Sequence, residues 1–124
     1  MKLYIDDIRP APENWQQART ITDAIRFIAQ FSDEIKEISI DHDISYAVEV
    51  AGTQRPFPSP EDFTAVAYFI GEMWKNRPDI QPKITIHSAN PVGARRIGEI
   101  LSSDYNLGYE ISPATRVNRL ESEV

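Results

Sequence analysis

Three short apolar runs in this chain each break off in a cluster of chemically capable residues: LYIDDIRP over residues 3–10, ISIDHDIS over 38–45 and ITIHSANP over 84–91. A short run of β-favouring residues bounded by turn formers reads as a buried strand. Helical spacing of apolar residues marks much of the sequence between them, so strands and helices alternate. That alternation predicts a parallel sheet covered on both faces, because parallel neighbours need a crossover and the usual crossover is a helix. In such sheets the ligand crevice opens outside the carboxyl ends of the strands. All three polar clusters fall there.

The elements follow from pattern. Lys2 to Ile8 reads as the first strand, ended by Asp6, Asp7, Arg9 and Pro10. Trp15 to Thr20 suits a short strand or a reduced helix equally. Ile21, Ala24, Ile25, Ile28 and Phe31 lie at helical spacing, with Thr22 as a cap and Asp23 favourably placed in the first turn. Ile35 to Ile40 is the second strand. Phe63, Val66, Phe69, Ile70, Met73 and Trp74 form the strongest helical stripe, with Pro78 beyond its end. Lys83 to His87 is the third strand, and Asn90-Pro91 opens a helix as cap and first-turn proline. Tyr105, Leu107, Tyr109 and Ile111 alternate as a last strand, and 114–124 reads as a polar tail or short terminal helix beyond a domain of residues 1–113. Between Ile44 and Pro60, alternating Tyr46, Val48 and Val50, a glycine at 52 and prolines at 56, 58 and 60 exclude a helix and predict an extended loop or hairpin.

Composition limits the chemistry. At 124 residues the chain builds one core, and with no cysteine it has neither disulfides nor thiolate chemistry. A net charge of −6 argues against extended nucleic-acid binding, which needs a broad basic face. No run approaches the ~20 apolar residues of a spanning helix. These features lead to the expectation of a cytoplasmic protein without a membrane partner, acting on a small phosphorylated ligand or a short phosphorylated end.

Asp6, Asp7, Asp41 and Asp43 would repel one another if ionised side by side, and a proton or a bound cation relieves such repulsion. Carboxylate oxygens suit Mg²⁺ or Mn²⁺ and leave coordination positions for water and phosphate. The only histidines, His42 and His87, fall at the same mouth, as ligands or as proton carriers. Ser88, the first-turn amides beyond Asn90 and Pro91, and the guanidinium groups of Arg9, Arg95 and Arg96 supply an anion cradle. Each part has a plainer reading: aspartates close turns, Asn90 caps a helix, and arginines solvate a helix face. Those readings leave unexplained why every cluster falls at one end of one predicted sheet.

The three strand endings, in this order, resemble the cyclic-phosphate-processing receiver-like domain family, with its DD-x-R, DHD and HSANP motifs. RPFPSPEDF is similar to a segment found in a subset of that family, so the resemblance covers roughly residues 1–112. It implies a fold related to two-component receivers: a single doubly wound, mostly parallel five-stranded sheet of receiver or flavodoxin type, with Trp15–Thr20 holding a reduced first helix and the second strand. It also implies an acidic pair at Asp6 and Asp7, a phosphoacceptor position at Asp41 and a hydroxyl at Ser88. Where receivers carry a lysine before a proline on the last strand, this chain has Ser112 before Pro113, against a phosphorelay role.

The implied activity is processing of cyclic-phosphate ends of RNA or nucleotides. The residues expected to serve it are Asp6, Asp7 and Asp41 for Mg²⁺ or Mn²⁺, His42 or Asp43 as base, His87 as acid, and Arg9, Ser88, Asn90 and Arg95 for the phosphate. The alternatives are a receiver phosphorylated on Asp41 and a silent sensor using the same pocket.

Overall fold

The computed structural model describes residues 1–112, and for 45–50 and 54–60 the backbone alone. Four short strands, β1 (Lys2–Ile5), β2 (Gln16–Ala18), β3 (Glu37–Ile40) and β6 (Lys83–Ile86), join a two-residue β7 (Glu110–Ile111) in one parallel sheet of order β2-β1-β3-β6-β7. This is the receiver or flavodoxin-like topology. Strand order reverses between β1 and β3, which makes their carboxyl ends the switch point where ligands bind in such sheets.

Three helices, α1 (Ile21–Phe31), α2 (Thr64–Trp74) and α3 (Pro91–Glu99), connect β2 to β3, β3 to β6 and β6 to β7. All three connections step across the sheet in one direction, so right-handed crossovers place their helices on the same face. That face carries the rows Leu3–Ile38–Ile84 and Ile5–Ile40–Ile86, aligned by register and all essentially buried. Cover on both faces was expected. Among the described residues no helix covers the second face, whose central row is Tyr4–Ser39–Thr85 and whose rim holds the ion pairs Lys2–Glu37 at 3.3 Å and Lys83–Glu110 at 3.8 Å. Trp15 of the β1–β2 connection packs edge-on to Tyr4 there.

Two boundaries differ from expectation. Thr20, not Thr22, caps α1, its side chain accepting the Asp23 amide at 3.0 Å, which lets Ile21 join the helix. The last strand is shorter than the alternation of Tyr105 to Ile111 suggests. α3 runs on through a π-helical segment, Ile100–Asp104, and Asn106 closes it at φ 57°. The Leu107 amide then reaches back to the Leu101 carbonyl at 2.8 Å, so Leu107 is buried as a helix stop. The expected tail or helix at 114–124 lies outside the described residues.

The 44–60 segment is a hairpin of β4 (Asp43–Val50) and β5 (Thr53–Asp62). Its register pairs Val50 with Thr53 across the two-residue turn Ala51-Gly52, both at positive φ (52° and 79°). Counting from that closing pair, prolines 56 and 58 occupy positions whose missing N–H would face away from β4, which blunts the free edge against pairing. Alanine is a poor residue for the first turn position, where asparagine is favoured. An Ala51→Asn variant should therefore be more stable by about 0.5–1 kcal/mol in denaturant titration.

Candidate functional site

The row that makes the site is produced by register. Ile5, Ile40 and Ile86 are direct neighbours, so the next residues, Asp6, Asp41 and His87, emerge side by side toward the opposite face of the sheet. The ladder continues through them: the Asp41 amide donates to the Ile5 carbonyl at 2.9 Å and the His87 amide to the Ile40 carbonyl at 3.0 Å.

Asp6 is fully buried and accepts from every side. One carboxylate oxygen takes the amides of Ile8 (2.8 Å) and Arg9 (2.9 Å); the other lies 3.3 Å from Arg9 Nη1 and 2.9 Å from His87 Nε2. Burial alone would raise its pKa, but the hydrogen bonds from His87 and the two amides together overcome that and hold the carboxyl below the ordinary value. Gln17 holds the loop that makes this possible, its Nε2 donating to the carbonyls of Asp6 (2.8 Å) and Arg9 (3.1 Å).

Asp41 sits in the same row with the opposite outcome. Burial first, and then the negative charge of Asp6, raise its pKa, and hydrogen bonds from Ser88 and the His42 amide do not offset them. Arg9 Nη1 reaches Asp41 at 3.4 Å while touching Asp6, so one guanidinium serves two carboxylates. Asp7 completes the set: Asp6, Asp7 and Asp41 each bring an oxygen within 4.8 Å of the others. All three are hard oxygen donors, a set that fits a divalent cation such as Mg²⁺ or Mn²⁺.

His87 is held rigidly behind the acids. Its Nδ1 meets the Ser39 hydroxyl at 2.6 Å, its Nε2 meets Asp6, and its ring stacks on Tyr4 with centroids 4.4 Å apart and 8° between planes. Both ring nitrogens are thus engaged inside the protein.

The other two residues of the DHD motif enter a second network. His42 Nδ1 meets Asp43 at 2.7 Å and its Nε2 lies 3.3 Å from Asp62, so the imidazole clamps the two strands of the hairpin at its base. Asn90 Nδ2 donates to Asp43 at 3.1 Å, while its Oδ1 caps α3 by accepting the Gly93 amide at 3.1 Å. Ser88 stands between the networks, bonded to Asp41 and accepting the Asn90 amide at 3.1 Å. Arg95 is exposed one turn into α3, on the wall of a cavity that begins at Ser88.

The structure therefore brings Asp6, Asp7, Asp41, Arg9, His87 and Ser88 together and places His42, Asp43 and Asn90 in the adjoining network. Sequence reasoning missed Ser39, Tyr4, Gln17 and Asp62. Ser39 had a visible signal, a hydroxyl between two isoleucines of a strand; the others acquire their roles only from register and loop path.

A sheet of this order with an acidic row at its switch point defines a receiver-like α/β domain. The family model for the cyclic-phosphate processing receiver domain matches residues 1–113, and the chain belongs to that family. No curated protein and no solved structure matches it significantly. No helix among the described residues is long and apolar enough to cross a membrane.

Proposed function

We propose that this domain is a metal-dependent phosphoesterase acting on cyclic-phosphate ends of nucleotides or RNA, with Asp6, Asp7 and Asp41 holding Mg²⁺ or Mn²⁺. One observation carries the reading: three carboxylates converge within 4.8 Å at the switch point, two of them sharing the Arg9 guanidinium, and family membership gives the acidic row a phosphate to act on. The bound cation would supply charge neutralisation for the phosphate.

The chain's own residues supply the rest. Ser88 and Arg9 orient phosphate oxygens beside Asp41. Ser39 and Tyr4 fix His87, which holds Asp6 in place as a positioning residue, and the leaving oxygen takes its proton from water. Asp43, held by His42 and Asn90, takes the proton from the attacking water. Asn90 ties Asp43 to α3 and so sets the angle of that base.

The test is release of phosphomonoester from a 2′,3′-cyclic nucleotide during Mg²⁺ and Mn²⁺ titration. Turnover should require metal, and Asp41→Asn should abolish both binding and turnover while the circular dichroism spectrum is retained. A second reading, a silent sensor, is favoured by Arg9, which already balances part of the acidic charge without metal. Saturable binding of the cyclic nucleotide without turnover would select it.

A further inference from the structure

Beyond the phosphate site, a cavity of about 500 Å³ opens between α3 and β7, sharing Ser88 with the acidic row. We propose that it binds the base of one nucleotide, and one only, whose phosphate lies at that row; this rests on the phosphate reading above.

Four observations carry the assignment. Ser88 lines the cavity and also bonds to Asp41, so a ligand held there has its phosphate end at the carboxylates. Tyr109 and Ile111 line it while 37% and 57% exposed, two large apolar side chains left uncovered at a sheet edge beside a cavity wall of Pro91 and Ala94. The Tyr109 ring is seated against α3 at Gly98, where a β-carbon would lie 2.6 Å from its Cζ, which holds the ring in a defined position for stacking. Arg95 projects from the cavity wall and makes no hydrogen bond or ion pair among the described residues, leaving its guanidinium for the ligand.

Size and charge limit the ligand. About 500 Å³ lies low in the ~300–1,000 Å³ range of small-molecule sites, room for one nucleoside and not two. With a net charge of −6, the chain offers a polynucleotide no general attraction beyond the end it holds. Ser112 forms part of the wall. Where a receiver's lysine would reach toward the phosphate, a serine leaves that volume to the ligand.

The test uses the full chain with Mn²⁺ and calorimetric titration of four probes: inorganic phosphate, a ribose 2′,3′-cyclic phosphate lacking a base, a 2′,3′-cyclic mononucleotide, and a short oligonucleotide with the same cyclic end. The mononucleotide should bind about tenfold more tightly than the baseless probe, the scale of one base stacked on an aromatic ring, and the oligonucleotide should match the mononucleotide within about threefold. Tyr109→Ala and Ser112→Lys should each erase the preference for a base while leaving phosphate affinity in place, and Tyr109→Phe should keep it. Equal affinity for the two cyclic probes, with phosphate still bound, would overturn the base site and spare the phosphate reading. A much tighter oligonucleotide would overturn the limit to one nucleotide. Failure of all four probes to bind would overturn both readings.

Discussion

An Asp6→Ala variant is expected to lose about 3–5 kcal/mol of folding stability, the scale for removing one partner of a buried charge pair. The loss follows from what Asp6 satisfies: two backbone amides, the Arg9 guanidinium and His87 Nε2 would all be left facing a methyl group inside the protein. Urea titration with metal chelated measures it. Unchanged stability would mean that the loop from Ile8 to Arg9 has no need of the carboxylate.

Its neighbour should behave in the opposite way. Burial and the charge of Asp6 oppose ionisation of Asp41, so at neutral pH without metal an Asp41→Asn variant should be at least as stable as the parent. The signs differ by residue. Asp6, with its folded pKa lowered, contributes stability that is present above its ordinary value of 3.8 and is lost as pH falls through the folded value. Asp41, with its folded pKa raised, contributes stability that is present below 3.8 and lost as pH rises through the folded value. The advantage of Asp41→Asn should accordingly grow as pH rises from about 3.8 and disappear below it. Added Mg²⁺ or Mn²⁺ should stabilise the parent and leave the variant unchanged. One buried pair thus divides into a residue that holds the loop and a residue whose charge is opposed by its surroundings, which a bound cation would offset.

The second large effect is expected at Gly93. In a helix interior alanine ordinarily gains up to about 1 kcal/mol over glycine. At Gly93 the sign should reverse, with Gly93→Ala losing roughly 1–3 kcal/mol or more, because the new β-carbon would clash with Cγ and Nδ1 of the His42 imidazole. That ring has little freedom to yield: Asp43 and Asp62 hold its two nitrogens, and its backbone carbonyl accepts the Phe63 amide at 2.9 Å. The displaced ring would also disturb Asp43 and, through it, Asn90 at the cap of α3. Thermal unfolding gives the stability, and double substitution with His42→Ala should recover much of it. No recovery would place the strain elsewhere in α3.

Much of this architecture was written locally. Isoleucines alternating with polar residues, helical stripes such as Phe63 to Trp74, and the Asn90-Pro91 start specify elements through short-range sterics and burial, and the strand endings mark where reactive residues must emerge. The short last strand was less legible, because the spacing of Tyr105, Leu107, Tyr109 and Ile111 suits a strand as well as it suits a π-helical ending with a buried stop at Leu107.

Residue types and order therefore determined by themselves that acids, histidines and a hydroxyl would meet at one end of a parallel sheet. Only the tertiary structure decided how they divide. The in-register alignment of Ile5, Ile40 and Ile86 lines up Asp6, Asp41 and His87 in one row, whereas the bonds of His42 and Asp43 to Asp62 and Asn90 draw them to the hairpin base and α3. Three consecutive letters, Asp41, His42 and Asp43, carry no sign of that parting. The partners that separate them stand about twenty and fifty positions away in the chain and become neighbours only when the hairpin and α3 close over the sheet's end.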